Sequence, residues 1–196
     1  MTYHIITISR QFGSGGRTIG KLVAERLGIP CYDAEIITKI AQDIGFTEDY
    51  IEERTESTQG GIFTALSEYE TYGYSERIAI WRAQCRAIKE LAEKGSCVFV
   101  GRCADYVLKG EDYELLKVFV CADNEARIER IIHEYGETAD RPEKRLKDKD
   151  KRRKAYYEIY TDQKFGDPLN YDLCLNSARF GIDKCADIIV SAYKNE

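Results

Sequence analysis

Apolar residues fall in short blocks along this chain, and the blocks alternate between two periods. Tyr3-His4-Ile5-Ile6-Thr7-Ile8 is a β-rich run. Ile19, Leu22, Val23 and Leu27 then recur near helical spacing between Arg17 and Leu27, with Gly28 as the stop. Ile29-Pro30-Cys31-Tyr32-Asp33 reads as a second strand ending on an acid, and Ala34 to Ile44 as a helix with Ile36, Ile37, Ile40 and Ile44 on one side. From Thr47 to about Gly73 the pattern weakens into an acidic stretch around Gly60-Gly61, an excursion from the core that is partly helical and mobile. Ser75 to Lys94 carries the strongest helical stripe, through Ile78, Trp81, Cys85, Ile88 and Ala92.

Two apolar runs follow, Cys97-Val98-Phe99-Val100 and Lys117-Val118-Phe119-Val120-Cys121, the second charged only at its first residue. Such runs mark strands buried on both faces of a parallel sheet. Asp123 or Asn124 caps a helix running through Tyr135, with Ile128, Ile131 and Ile132 inward. Asn170 to Asn176 is a final strand, and Phe180 onward a final helix through Ile182, Cys185, Ile188 and Ile189. Strands alternating with helices predict an α/β fold with a doubly wound parallel sheet. At 196 residues, without repeats or a low-complexity linker, the chain fits one domain.

Charge changes the picture at one place. Residues 140–154 hold nine basic residues against four acids in a chain of net charge −5, so the remainder is near −10. That balance argues against nucleic acid and anionic membranes as partners. No apolar run approaches the roughly 20 residues that span a bilayer, and Met1-Thr2-Tyr3-His4 has no signal-peptide pattern. The expected location is cytoplasmic. Seven cysteines without a CxxC pair read as free thiols, and Cys97, Cys121 and Cys174 fall in runs expected to be buried.

Between the first strand and first helix stands Gln11-Phe12-Gly13-Ser14-Gly15-Gly16-Arg17-Thr18. A glycine-rich turn there aims backbone N–H groups and a helix N-terminus into one concavity, which suits a phosphate. Against the usual GxxxxGK[ST], aligned on Gly16, Gln11 replaces the first glycine and Arg17 the lysine, while Thr18 supplies the hydroxyl used for Mg²⁺. The dinucleotide pattern GxGxxG does not occur in order. Arg102 follows the strand 97–100, and Asp33 ends another strand on the same rim, where ligands of open α/β sheets bind. Arg127, Arg130, Arg141, Arg145, Lys149, Arg152 and Arg153 are cations available to a flap over the phosphates, with Asp150 and Arg153 spaced to orient each other on a helix. These residues leave three classes open: a phosphotransferase, a nucleotide-binding module without catalysis, and a nucleic-acid binder acting through residues 141–154.

ITISRQFGSGGRTIGKLVAERLGIPCYD, VFVGR, DKDKRRKAYYEIYT and NYDLCLNS together resemble the cytidylate kinase-like family from about Ile5 to Ile189. The resemblance implies a three-layer P-loop nucleoside-monophosphate kinase fold with a five-stranded parallel sheet. It implies a core of about residues 1–44, 96–132 and 155–196, an acceptor-binding insertion of about 45–95 and a lid of about 133–154. It implies ATP held by Gly13, Ser14, Gly15, Gly16, Arg17 and Thr18, with Mg²⁺ at Thr18. Asp33, Arg102 and Asp105 would face the acceptor, and Arg17, Arg127, Arg130, Arg141 and Arg153 would act in catalysis. The implied reaction is phosphoryl transfer to a nucleoside monophosphate, most plausibly CMP or dCMP, with another small acceptor as the alternative. Here Cys103 follows Arg102 where cytidylate kinases carry an aspartate, and Asp167-Pro168-Leu169 replaces their serine-proline-leucine. The sequence is silent on oligomeric state.

Overall fold

The computed structural model describes residues 3–33, 36, 39, 68–136 and 141–194. The helix expected at 34–44 and the excursion at 47–73 therefore lie mostly outside the described residues. In chain order the elements are β1 (Tyr3–Arg10), α1 (Gly16–Leu27), β2 (Cys31–Tyr32), α2 (Glu68–Ala92), β3 (Cys97–Val100), α3 (Ala104–Val107), β4 (Tyr113–Cys121), α4 (Asn124–His133), α5 (Pro142–Thr161), a 3₁₀ turn (Pro168–Asn170), β5 (Leu173–Asn176), α6 (Ser177–Phe180) and α7 (Ile182–Lys194).

All five strands are parallel, in the order β2-β3-β1-β4-β5. The pleat explains why β3 reads as an unbroken apolar run and β1 as a nearly apolar one. Ile5, Cys97 and Phe99 enter the layer with Ile88 and Leu108, whereas Ile6, Ile8, Val98 and Val100 enter the layer with Ile19, Val23 and Ile189. Successive side chains thus meet helices on opposite faces, and the strand interiors are mostly apolar, with Thr7 and Ser9 of β1 as buried polar exceptions. β1 lies between β3 and β4, so the chain departs to opposite sides after β1. A crevice opens at the carboxyl end of β1, where such sheets bind ligands.

Three elements depart from the sequence pattern. α2 starts seven residues before Ser75. α5 runs unbroken through position 154 to Thr161, so the basic stretch and Tyr156-Tyr157 share one helix. α3 is an added turn after β3. Among the described residues no helix is long and apolar enough to cross a membrane.

The cysteines divide by position. Cys97, Cys103 and Cys185 are buried, but Cys174, expected inside, is exposed because β5 is an edge strand and that side chain faces outward. Burial pushes the Cys85 thiol up to about 11 and Cys97 up to about 12. Neither is poised as a thiolate, and no metal-holding cluster occurs among the described residues.

Candidate active site

The loop between β1 and α1 is held from outside by its carbonyls. Ser14 Oγ donates to Gln11 O (2.9 Å), Arg127 Nε to Phe12 O (2.7 Å), Arg130 Nη1 to Gly13 O (2.9 Å) and Ser177 Oγ to Ser14 O (2.6 Å). Gln11 fastens the loop to β4 through its amide on Val120 O (3.0 Å) and its side chain beneath Ala122 N (3.2 Å). The carbonyls of Phe12, Gly13 and Ser14 are thereby held by groups outside the loop, and that of Gln11 by Ser14 within it. The first i→i−4 bond of α1 runs from Ile19 N to Gly15 O. The amides of Gly16, Arg17 and Thr18 precede it, and so they are the helix's free first-turn donors. Gly13 and Gly15 adopt left-handed φ of 75° and 77° to make this turn. The arrangement is a cradle for an anion at a helix N-terminus.

The structure disperses the predicted cations. Arg17 is exposed, and its Nε pairs with Asp33 at 2.8 Å across the mouth toward β2. Thr18 is exposed on the same turn. Arg127 is 3% exposed and is consumed by the loop, by Asn124 and by an ion pair with Asp150. Arg130 braces Gly13 and faces Glu134 at 3.5 Å. Both arginines therefore shape the loop from behind. Asp150 does not orient Arg153. Its Oδ1 accepts from Phe12 N at 2.7 Å, tying α5 to the loop. Arg153 instead reaches Arg10 O (3.4 Å) and lies 5.3 Å from the centre of the Phe12 ring, within cation–π range. Arg141 stands at the N-terminal end of α5, about 18 Å along the helix from Arg153 at 1.5 Å per residue.

Arg102 sits in a turn of three successive left-handed residues: Gly101 (φ 80°), Arg102 (57°) and Cys103 (55°). Two of these are not glycine, so the turn stores strain of order 1–3 kcal/mol per residue. Buried Gln84 of α2 opposes it, donating from Nε2 to Arg102 O (2.8 Å) while its Oε1 accepts from Tyr156 OH (2.7 Å). Trp81, one turn earlier, stacks on Tyr160 at 4.4 Å. α2 and α5 are clamped together directly over the Arg102 turn. A small cavity of about 40 Å³ lies there, lined by Arg10, Arg102 and Arg153 with Ser9, Tyr156 and Tyr157. A second cavity, about 610 Å³ and of nucleoside size, opens between α4 and α5 beside Gln11, Arg127 and Lys151.

Asp105 is 4% exposed and accepts from Tyr157 OH at 2.6 Å. It lies behind the rim and holds Tyr157, which lines the small cavity. Its pKa stands above the ordinary 3.8, because burial disfavours the charge more strongly than the Tyr157 hydroxyl favours it. The folded protein thus holds this proton more tightly than the unfolded chain does. The resulting stability is full below pH 3.8 and is lost as pH climbs to the raised value. Asp105→Asn cannot ionise. In melting curves across pH, the wild-type advantage over that variant is expected to shrink from about pH 4 upward. An advantage that grew with pH would mean a carboxylate stabilised by the fold.

Residues 5–179 match the cytidylate kinase-like family. The chain belongs to that family. Membership makes it a P-loop phosphotransferase, and its sheet order and loop are those of that fold. It is 32% identical over 191 residues to a cytidylate kinase of Archaeoglobus fulgidus, covering 95% of this chain and 93% of the relative. It is 28% identical to one of Methanopyrus kandleri, covering 96% and 92%. Among solved structures, an uncharacterized protein from Eubacterium ventriosum superimposes with TM-score 0.74 at 27% identity, covering 98% of this chain and 99% of that one. A shikimate kinase from Acinetobacter baumannii shares the fold, with TM-score 0.55 at 16% identity and coverage of 100% and 94%.

In this member of the cytidylate kinase-like family, sequence reasoning missed Arg10, Gln84, Tyr156, Tyr157 and Ser177. A Gln on the otherwise apolar face of α2 was the one available signal, since buried amides demand partners.

Proposed function

We propose that the protein transfers the γ-phosphoryl group of ATP to a phosphate oxygen of CMP or dCMP. The observation that carries this reading is the loop whose carbonyls are bonded outward while the α1 first-turn amides face the crevice of a cytidylate kinase-like chain. In this reading Gly13 to Thr18 hold the ATP phosphates, and Arg17 adds charge at the mouth. Asp33 and Arg102 face the acceptor, with Asp105 acting through Tyr157. Arg127 and Arg130 keep the loop in shape, Arg153 closes over Phe12, and Arg141 belongs to the lid side. Residues of about 45–95 serve as the acceptor-binding insertion and about 133–154 as the lid.

The residues present fit Mg²⁺, which keeps several waters and takes few protein ligands alongside substrate phosphates. Thr18 offers an exposed hydroxyl on the first turn of α1. The bound ion would neutralise charge on the β- and γ-phosphate oxygens. No general base is needed, because the acceptor phosphate is already an ionised nucleophile.

A panel of acceptors with ATP and Mg²⁺ tests the reading, with CMP and dCMP expected to turn over fastest among nucleoside monophosphates and other small phosphate acceptors. Absence of CMP and dCMP turnover beside clear turnover of another compound would replace the acceptor. Binding of ATP without transfer to any acceptor would leave a nucleotide-binding module.

A further inference from the structure

The register of the phosphate loop has a second solution. Aligned on Gly15 instead of Gly16, the spacing GxxxxGK[ST] puts Arg10 in the place of the first glycine, Gly16 in that of the lysine and Arg17 in that of the Ser/Thr, with Thr18 one residue beyond. The helix supports this register, since Gly15 is its left-handed N-cap and α1 begins at Gly16. Read this way, the loop has exchanged a glycine and a cation between its two ends.

The exchange is visible in space. A Cβ placed on Gly16 would stand 2.7 Å from Arg10 Cβ and 3.0 Å from its Cγ. Both atoms belong to the root of the side chain, which cannot swing away. The stem of Arg10 therefore fills the volume that a side chain at position 16 would take. Its guanidinium continues to β3, where a Cβ on Gly101 would lie 1.7 Å from Nη1. At Gly16 the fixed root of Arg10 leaves no room for a Cβ, while Gly101 lies under the movable guanidinium and is itself left-handed (φ 80°).

The Arg10 side chain ends beside Arg102 and Arg153 in the cavity of about 40 Å³. There is room for roughly three waters, a space on the scale of a phosphoryl group. Three arginines, Arg10, Arg102 and Arg153, thus line one small cavity. Arg17 is directed elsewhere, by Asp33.

We infer that Arg10 is a catalytic residue of the phosphoryl transfer. Its guanidinium contacts the moving phosphoryl group from the β1–β3 side and carries the charge that a loop lysine usually supplies. This rests on the phosphotransferase reading above. A fork of N–H donors at this point would stabilise charge on the equatorial oxygens more in transit than in the bound substrates, so its loss should appear in kcat.

The experiment uses the full chain, with steady-state kinetics in ATP and CMP, direct ATP binding and melting temperature. Arg10→Gln keeps the stem and removes the charge. It is expected to lower kcat about 100-fold or more while ATP affinity changes less than about 5-fold. Arg10→Lys should retain more of kcat than Arg10→Gln. The double variant Arg10→Gly/Gly16→Lys returns the cation to α1 and should exceed Arg10→Gln in kcat by about tenfold. Wild-type kcat in Arg10→Gln overturns the inference. So does a lack of recovery in a double variant that melts where Arg10→Gln melts. Wild-type protein that phosphorylates no acceptor at all would overturn the functional reading instead.

Discussion

Replacing Arg127 with alanine is expected to cost the fold about 3 kcal/mol, the low end of the range for removing one partner of a buried ion pair because Asp150 keeps some exposure, and to weaken ATP binding strongly. Arg127 is 3% exposed, so water cannot take over its bonds. Its Nε holds Phe12 O at 2.7 Å, and its Nη2 pairs with Asp150. Asp150 in turn accepts from Phe12 N at 2.7 Å. Without the guanidinium, a carboxylate on α5 faces the loop with one amide for company, and the Phe12 carbonyl is free to rotate into the anion cradle. Asp150→Asn keeps a neutral acceptor and should cost less, about 1–2 kcal/mol. Chemical denaturation of the two single variants and the double gives the coupling between them. The variant Arg127→Met/Asp150→Leu separates energy from position. Apolar replacement of a buried pair often restores stability, but nothing would then hold Phe12, so ATP affinity should stay low. Recovery of both would mean that the pair only fills space.

That network also marks where the sequence stopped being readable. The strands were legible because β1 and β3 are covered on both faces, and burial there favours apolar residues such as Ile5, Ile6, Ile8 and Cys97 to Val100, with Thr7 the polar exception among them. The loop was legible from its glycines. The roles of Arg127 and Arg130 were not, because a cation near a phosphate loop looks the same in sequence whether it meets the phosphate or the loop's own carbonyls. The length of α5 was hidden for a related reason. Its inward residues, Leu146 and then Tyr156 and Tyr157, face different neighbours along the helix and draw no single stripe. Gly101 marks a turn, but its continuation in left-handed conformation through Arg102 and Cys103, where Gln84 bonds Arg102 O, is not a preference those residues announce. Cys174 misled because an apolar edge strand has one face that nothing covers.

The second large effect is expected at Gly13, and a control glycine shows why. Gly13 and Gly28 share nearly the same backbone, φ 75° and 65°. An alanine at Gly28 would meet nothing within 4 Å. Its cost is then the left-handed penalty alone, about 1–2 kcal/mol. An alanine at Gly13 pays that penalty too, and its Cβ would stand 2.9 Å from Arg127 O and 3.1 Å from Arg127 Cβ. A backbone carbonyl within a helix cannot step aside as a side-chain tip can. α4 must shift, and Arg127 and Arg130 move with it, off Phe12 O and Gly13 O. Gly13→Ala is therefore expected to lose about 3 kcal/mol or more once strain and overpacking combine. Gly28→Ala should stay within about 2 kcal/mol and leave kcat and ATP affinity unchanged. Melting temperature and ATP titration of both variants decide the matter. Equal losses of stability would mean that the loop yields without moving α4. Retained ATP affinity in Gly13→Ala would mean that the outward-bonded carbonyls are not what keeps the cradle open.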